Sequence, residues 1–358
     1  MRRAWRARPR RHRRDTAGTR RDGRGAYDRP VARPAVPRPL PARTPPALLR
    51  RLAIAAVVAQ AGIAVTGSIV RVTGSGLGCP TWPQCFPGSL VPTPHPEVAA
   101  LHQWVEFGNR LLTGVVVLVT SLCLLAALRT RPRNGRLVRL ALVQPLGVVA
   151  QAVIGGFTVL LGLAWWSVSV HFLVSMVLVW LAVQLVHAAG DGAPPARVPG
   201  AVRGLVRAST AVLAALLTAG TLVTAAGPHA GDAATPRRVL GVPAAAQLHA
   251  DLLFAYLGLV VGLGFALHAV AAPPVLLRRY RLLVAAVVAQ GALGGVQYAL
   301  GVPEALASLH VLGAALVTVA AAALWAATCR RERPAAPPPT SPDERRTGSD
   351  EPALADRS

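Results

Sequence analysis

The residues of this chain that could carry chemistry fall into three groups. Cys79 and Cys85 stand six positions apart in the stretch GCPTWPQC. Glu106, Asn109 and Arg110, in HQWVEFGNRLL, recur at i, i+3 and i+4 and so share one face of any helix that contains them. His171, His249 and His310 are each embedded in an apolar run. The cysteines suit a disulfide, a redox pair or part of a metal clip. Glu106 and Arg110 suit an i,i+4 ion pair that neutralises two charges near a membrane interface. They suit equally a carboxylate held beside a substrate, where it relays a proton or stabilises positive charge. The imidazoles matter most, because an ionisable side chain inside an apolar span is costly and usually functional.

The composition says what kind of element must hold these groups. The chain has 358 residues, is 53% hydrophobic and yet carries a formal charge of +23, and its basic residues are all Arg. That combination excludes an ordinary soluble globular domain. Apolar runs between Arg-, Pro- and Gly-rich breaks give eight spans, near 48–70, 104–128, 137–161, 165–187, 203–226, 247–270, 281–300 and 305–327. Each is long enough to cross a hydrocarbon core of roughly 30 Å. The predicted fold class is an all-α integral membrane protein with eight transmembrane helices.

Alternate connections are basic. They are the N-terminal tail, the loop with Arg129, Arg131, Arg133, Arg136 and Arg139, the loop around Arg197 and Arg203, RRYR at 278–281, and CRRER at 329–333. The positive-inside rule makes these cytoplasmic, which predicts a multi-pass protein of the cell membrane with both termini in the cytoplasm. The 71–103 loop then lies outside, where Cys79 and Cys85 read as a disulfide closing a short loop. Zinc would need four ligands, and His95 is the only spare donor nearby. Cys123 and Cys329 read as ordinary apolar residues.

Residues 1–46 form an Arg- and Pro-rich tail without apolar periodicity, expected to be disordered. A solvated tail near anionic lipid, or an over-extended gene start, is preferred to a nucleic-acid-binding arm, so no nucleic-acid partner is expected. The tail lacks the apolar region of a signal peptide. Residues 328–358 read as a second tail. Between the tails lie two four-helix halves, 47–187 and 203–327, joined by a cytoplasmic linker at 188–202.

The halves resemble each other. QAVIGG at 151–156 recurs as QGALGG at 290–295, and a histidine follows twenty residues after each Gln, pairing His171 with His310. A similar offset places His249 on Asn109, and QAG at 60–62 pairs with TAG at 218–220. An even number of spans per half predicts two parallel repeats related by a pseudo-twofold along the membrane normal. His249 and His310, on the second and fourth spans of one half, can face each other across a bundle and ligate a metal axially, and haem suits the site better than zinc or a di-iron centre. Their neighbours supply neither thiolates nor carboxylates. His12, His187 and His268 read as bland, and GPHAGD around His229 as a turn near the site.

Taken together, TGSIVRVTGSGLGCPTWPQC, HQWVEFGNR, the VHF around His171, GPHAGD, QLHADLL and SLHVLGA resemble the haem A synthase family. The resemblance runs from about Ala47 to Trp325. It implies an eight-helix membrane oxidoreductase that converts the C8 methyl group of haem O to the formyl group of haem A for terminal oxidases. It implies His249 and His310 as axial ligands of a haem b iron, His171 at the substrate haem, Glu106 as the catalytic acidic residue, and Cys79 with Cys85 as the paired cysteines of the outer loop. Haem O synthase, an electron acceptor and a second copy of the chain are the partners it leaves room for, besides membrane lipid.

Two departures accompany the resemblance. Relatives often read Glu-x-x-His on the second span, where this chain has Glu106 and then Asn109, a poor iron ligand. His102, seven residues earlier on that face, is the candidate replacement. The second outer loop lacks the cysteine pair of some relatives. The propionates of a bound haem would meet Arg71, Arg110, Arg237 or Arg238 at the outer edge. Two competing readings are a bis-His transmembrane cytochrome b that only conducts electrons, which gives Glu106 no role, and a haem transporter, which should place its polar groups near the midplane.

Overall fold

The computed structural model describes residues 44–190, 198–229 and 241–328. Within them lie eight helices: α1 (Pro46–Val72), α2 (Ala100–Leu128), α3 (Gly135–Leu160), α4 (Trp165–Ala188), α5 (Gly200–Ala226), α6 (Val242–Ala269), α7 (Pro274–Ala299) and α8 (Glu304–Thr328). All eight are long and apolar enough to cross a membrane. The chain is thus an all-α, multi-pass membrane protein. The 1–46 and 328–358 tails lie largely, and residues 191–197 of the linker, Arg237, Arg238 and Cys329 wholly, outside the described residues.

The helices start and stop where local chemistry dictates. Proline occupies the first or second position of α1, α6 and α7, where its missing N–H costs no hydrogen bond. Asn134 caps α3, its side-chain oxygen accepting from the backbone N–H groups of Arg136 and Leu137. α3 and α7 end in the same way. Gly162 and Gly301 turn left-handed, and the next N–H, of Leu163 or Val302, reaches back to the carbonyl of Thr158 or Gln297.

Seven of the eight spans were bounded within a few residues by the apolar pattern. α7 differs, because RRYR lies inside the helix rather than in a loop. Leu276 and Leu283, seven positions apart on one face, are both buried, so the amphipathic first turns pack inward while the arginines mark the polar end. Arg136 and Arg139 are likewise helical, in α3 around buried Leu137.

Each helix of α1–α4 packs on the next, and α1 closes against α4; the same neighbours recur among α5–α8. α4 and α8 are central, with 44% of each span buried against 11–28% for the others. They meet where Met176 and Val179 pack on the small Ala315, and through a hydrogen bond from Gln184 to the carbonyl of Ala322 (3.0 Å). Such close approach is how helices associate where lipid removes the usual hydrophobic drive. α6 and α7 touch only lightly, whereas α2 and α3 pack along much of their length. A buried hydrogen bond from Gln60 on α1 to Gln144 (3.1 Å) ties α1 to α3 across the first four helices.

Candidate functional site

His249 and His310 sit about two turns inside the starts of α6 and α8 and face one another, with ring centroids 6.5 Å apart. An imidazole nitrogen lies about 2 Å from a metal it ligates and about 1.1 Å from its own centroid. Two axial imidazoles on one ion therefore place their centroids roughly 6 Å apart, and the observed pair fits. The carbonyl of Leu216 on α5 accepts a hydrogen bond from Nδ1 of His249 (3.1 Å), which leaves Nε2 with its lone pair free for a metal. Among the described residues no three His, Cys, Asp or Glu side chains cluster as a metal site. Two axial donors suit an iron whose other ligands come from a macrocycle, and so the pair fits haem.

Each ring lies against a glycine of the neighbouring helix. A Cβ on Gly220 of α5 would stand 3.1 Å from Cε1 of His249, and one on Gly294 of α7 would stand 3.0 Å from Cε1 of His310. His171 repeats the arrangement on α4, with Gly155 of α3 at 3.1 Å. Gln151 and Gln290 donate to the main-chain carbonyls of His171 (2.9 Å) and His310 (2.8 Å). Nδ1 of each of those histidines is buried without a hydrogen-bond partner. The two environments match down to their orphaned polar atoms. These glycines and glutamines are the functional-site residues that sequence reasoning missed. Their signal was QAVIGG and QGALGG, with TAG at 218–220 for Gly220, read only as markers of duplication.

Glu106 is buried and forms the i,i+4 ion pair with Arg110. Oε2 accepts from the backbone N–H of Cys79 (2.7 Å), and Oε1 accepts from Arg110 through Nη2 (2.6 Å) and Nε (3.2 Å). Arg110 also donates to the carbonyls of Cys79 (2.8 Å), Thr81 (3.1 Å) and Gln84 (3.2 Å). The pair on α2 thus clamps the loop closed by the Cys79–Cys85 disulfide, whose sulfurs pack beside Phe86 and Phe107. Trp82, at the tip of that loop, lies over Gly156 of α3, where any Cβ would strike the indole. Gly156 adjoins the glycine beneath His171, so the disulfide loop reaches from α2 onto α3 next to that histidine.

The remaining candidates separate. Asn109 accepts a hydrogen bond from the hydroxyl of Thr66 on α1 (2.7 Å). His102 and Ser75 share a hydrogen bond at 2.8 Å, which ties that ring to the loop between α1 and α2. Arg71, in the last turn of α1, carries a buried Nε with no partner. His95 stacks on Phe86 at 4.9 Å, and Nε2 of His229 donates to the carbonyl of Val302 (3.0 Å). Cys123 is a buried free thiol in an apolar cluster.

Residues 50–322 match the COX15-CtaA family, described as cytochrome oxidase assembly protein. The chain is 34% identical over 131 residues to a protein of Lysinibacillus sphaericus named "Heme A synthase", which is 36% of this chain and 41% of that one. It is 31% identical over 97 residues to the Geobacillus kaustophilus protein of the same name (27% and 29%). It is 29% identical over 126 residues to that of Shouchella clausii (35% and 40%). The chain spans less than half the length of each of these curated relatives.

Proposed function

We propose that this chain, which belongs to the COX15-CtaA family of cytochrome oxidase assembly proteins, is a haem A synthase: it oxidises the C8 methyl group of haem O to a formyl group in the cell membrane, with both termini cytoplasmic. The observation that carries the reading is the duplicated imidazole-on-glycine arrangement. One copy completes an axial histidine pair, and the other places His171 alone against the same kind of cradle. In this reading the halves, 47–187 and 203–327, are parallel repeats about an axis along the membrane normal, and they divide the work.

His249 and His310 hold haem b, which supplies one-electron transfer when bound. His171, its ring lying against Gly155, would hold the substrate haem. Arg71, whose buried Nε has no acceptor, receives an anionic propionate. Glu106 carries its charge at the outer end of α2, fixed by Arg110 and by the N–H of Cys79, where it takes up a proton or stabilises positive charge that develops on the substrate. The disulfide loop, with Trp82 at its tip, keeps water from that end. Haem O is apolar apart from its propionates, so a bundle in the bilayer can admit it from the side. A haem O synthase and an electron acceptor are the partners such chemistry calls for.

A cytochrome that only conducts electrons needs the α6–α8 pair alone and leaves the cradle of His171 without use. Co-expression with a haem O synthase in a host lacking haem A, followed by extraction and mass identification of the haems, tests the proposal. Haem A or its hydroxymethyl precursor is expected. Well-folded protein yielding only haem b and unreacted haem O would contradict it.

A further inference from the structure

We infer that the substrate haem is carried by a single protein ligand, His171, and that its opposite iron face is left open beside Asn109 and Thr66. The inference rests on the reading that α1–α4 hold the substrate haem, and it concerns how this chain differs from a bundle with two axial pairs.

The fold contains four equivalent places for an imidazole on a glycine. Three are filled: His249 over Gly220, His310 over Gly294 and His171 over Gly155, each with the ring 3.0–3.1 Å from where a Cβ would stand. The sequence repeat pairs the fourth glycine, Gly62 of α1, with Gly220, and pairs Asn109 of α2 with His249. Gly62 lies one turn from Thr66 on the same helical face, and Thr66 is the residue hydrogen-bonded to Asn109. A Cβ on Gly62 would meet nothing within 4 Å. The glycine leaves room for a ring, and the side chain at the matching position of α2 is the shorter Asn109. That side chain cannot substitute as a ligand, because a neutral amide is a weak iron donor and its oxygen is already engaged by the Thr66 hydroxyl.

His102 does not fill the role. It sits seven residues before Asn109, about 10 Å along the helix axis, with Nδ1 held by Ser75. The consequence is asymmetric: the α6–α8 iron is closed on both faces and suited to electron relay, while the α1–α4 iron keeps one face accessible to a small diatomic molecule.

Carbon monoxide binding to the reduced, full-length protein, purified with haem in both halves, tests this through optical and spin-state signatures. About half of the haem should bind carbon monoxide, and the other half should remain low-spin and act as an internal check of folding. Asn109→His should cut the carbon monoxide-binding fraction at least about fivefold and roughly double the low-spin haem per chain. His102→Ala should leave both quantities unchanged. Wild-type protein whose haems are all low-spin and inert to carbon monoxide would overturn the inference, and recovery of binding in His102→Ala would assign the second ligand to His102. Protein holding a single haem, unaltered by His171→Ala, would overturn this inference together with the placement of the substrate haem in α1–α4.

Discussion

Replacing Arg110 with Ala probes the clamp that joins the disulfide loop to α2. The Arg110 side chain is 22% exposed and that of Glu106 7% exposed, and Arg110 bonds three loop carbonyls as well as the carboxylate. Removing one partner of a fully buried ion pair costs about 3–5 kcal/mol, chiefly because the other charge is left without compensation. Water reaching the partly exposed end of Arg110 reduces this, and we take about 2–4 kcal/mol. Cys79 and Cys85 are completely buried, so a small thiol reaches the disulfide only when the loop opens. With roughly 1.4 kcal/mol per factor of ten, Arg110→Ala should speed reduction of Cys79–Cys85 by about 30- to 1000-fold. The assay is time-resolved trapping of the freed thiols in purified protein. Arg110→Lys, which keeps the charge and loses the planar fork, should give a smaller acceleration. An Arg110→Ala rate within about threefold of the wild type would refute the clamp.

Further expectations concern packing. Gly294→Leu or Gly220→Leu should displace the ring that lies on it and abolish most of the low-spin haem, read from the optical spectrum; full retention would contradict the cradle. Gln60→Leu and Gln144→Leu should each destabilise by about 0.5–2 kcal/mol, while the double variant costs less than their sum, a coupling measurable by a thermal double-mutant cycle. Trp82 is 37% exposed, so Trp82→Ala should cost about 1–2 kcal/mol rather than the roughly 3–5 of a fully buried Trp. Its melting temperature should fall with that of Gly156→Leu, and unchanged melting in both would contradict the contact.

The sequence showed most of the helical frame because lipid demands long apolar runs, and such runs are visible in any order. It singled out His171, His249 and His310 because each stands in an apolar run, and the similarity of QAVIGG to QGALGG pairs the first with the third. It placed the start of α7 too late, since arginines at a helix end look like a loop when the buried Leu276 and Leu283 beneath them are unknown. The double engagement of Glu106 was half legible: the i,i+4 spacing to Arg110 is local, whereas the N–H of Cys79 approaches from a loop whose path depends on tertiary packing. Trp82 on Gly156 was hidden for the same reason. The cradling glycines were in plain view, but what a glycine makes room for is known only when two helices are seen side by side.

The division of labour between the halves is tested most directly by the haem content of two variants, His171→Ala and His310→Ala, each purified from cells that make haem O. The first should keep low-spin haem b and lose haem O and haem A. The second should lose the low-spin signal while retaining haem O that is not oxidised. Loss of the same haem from both variants, or haem A made at wild-type yield by either, would contradict the account.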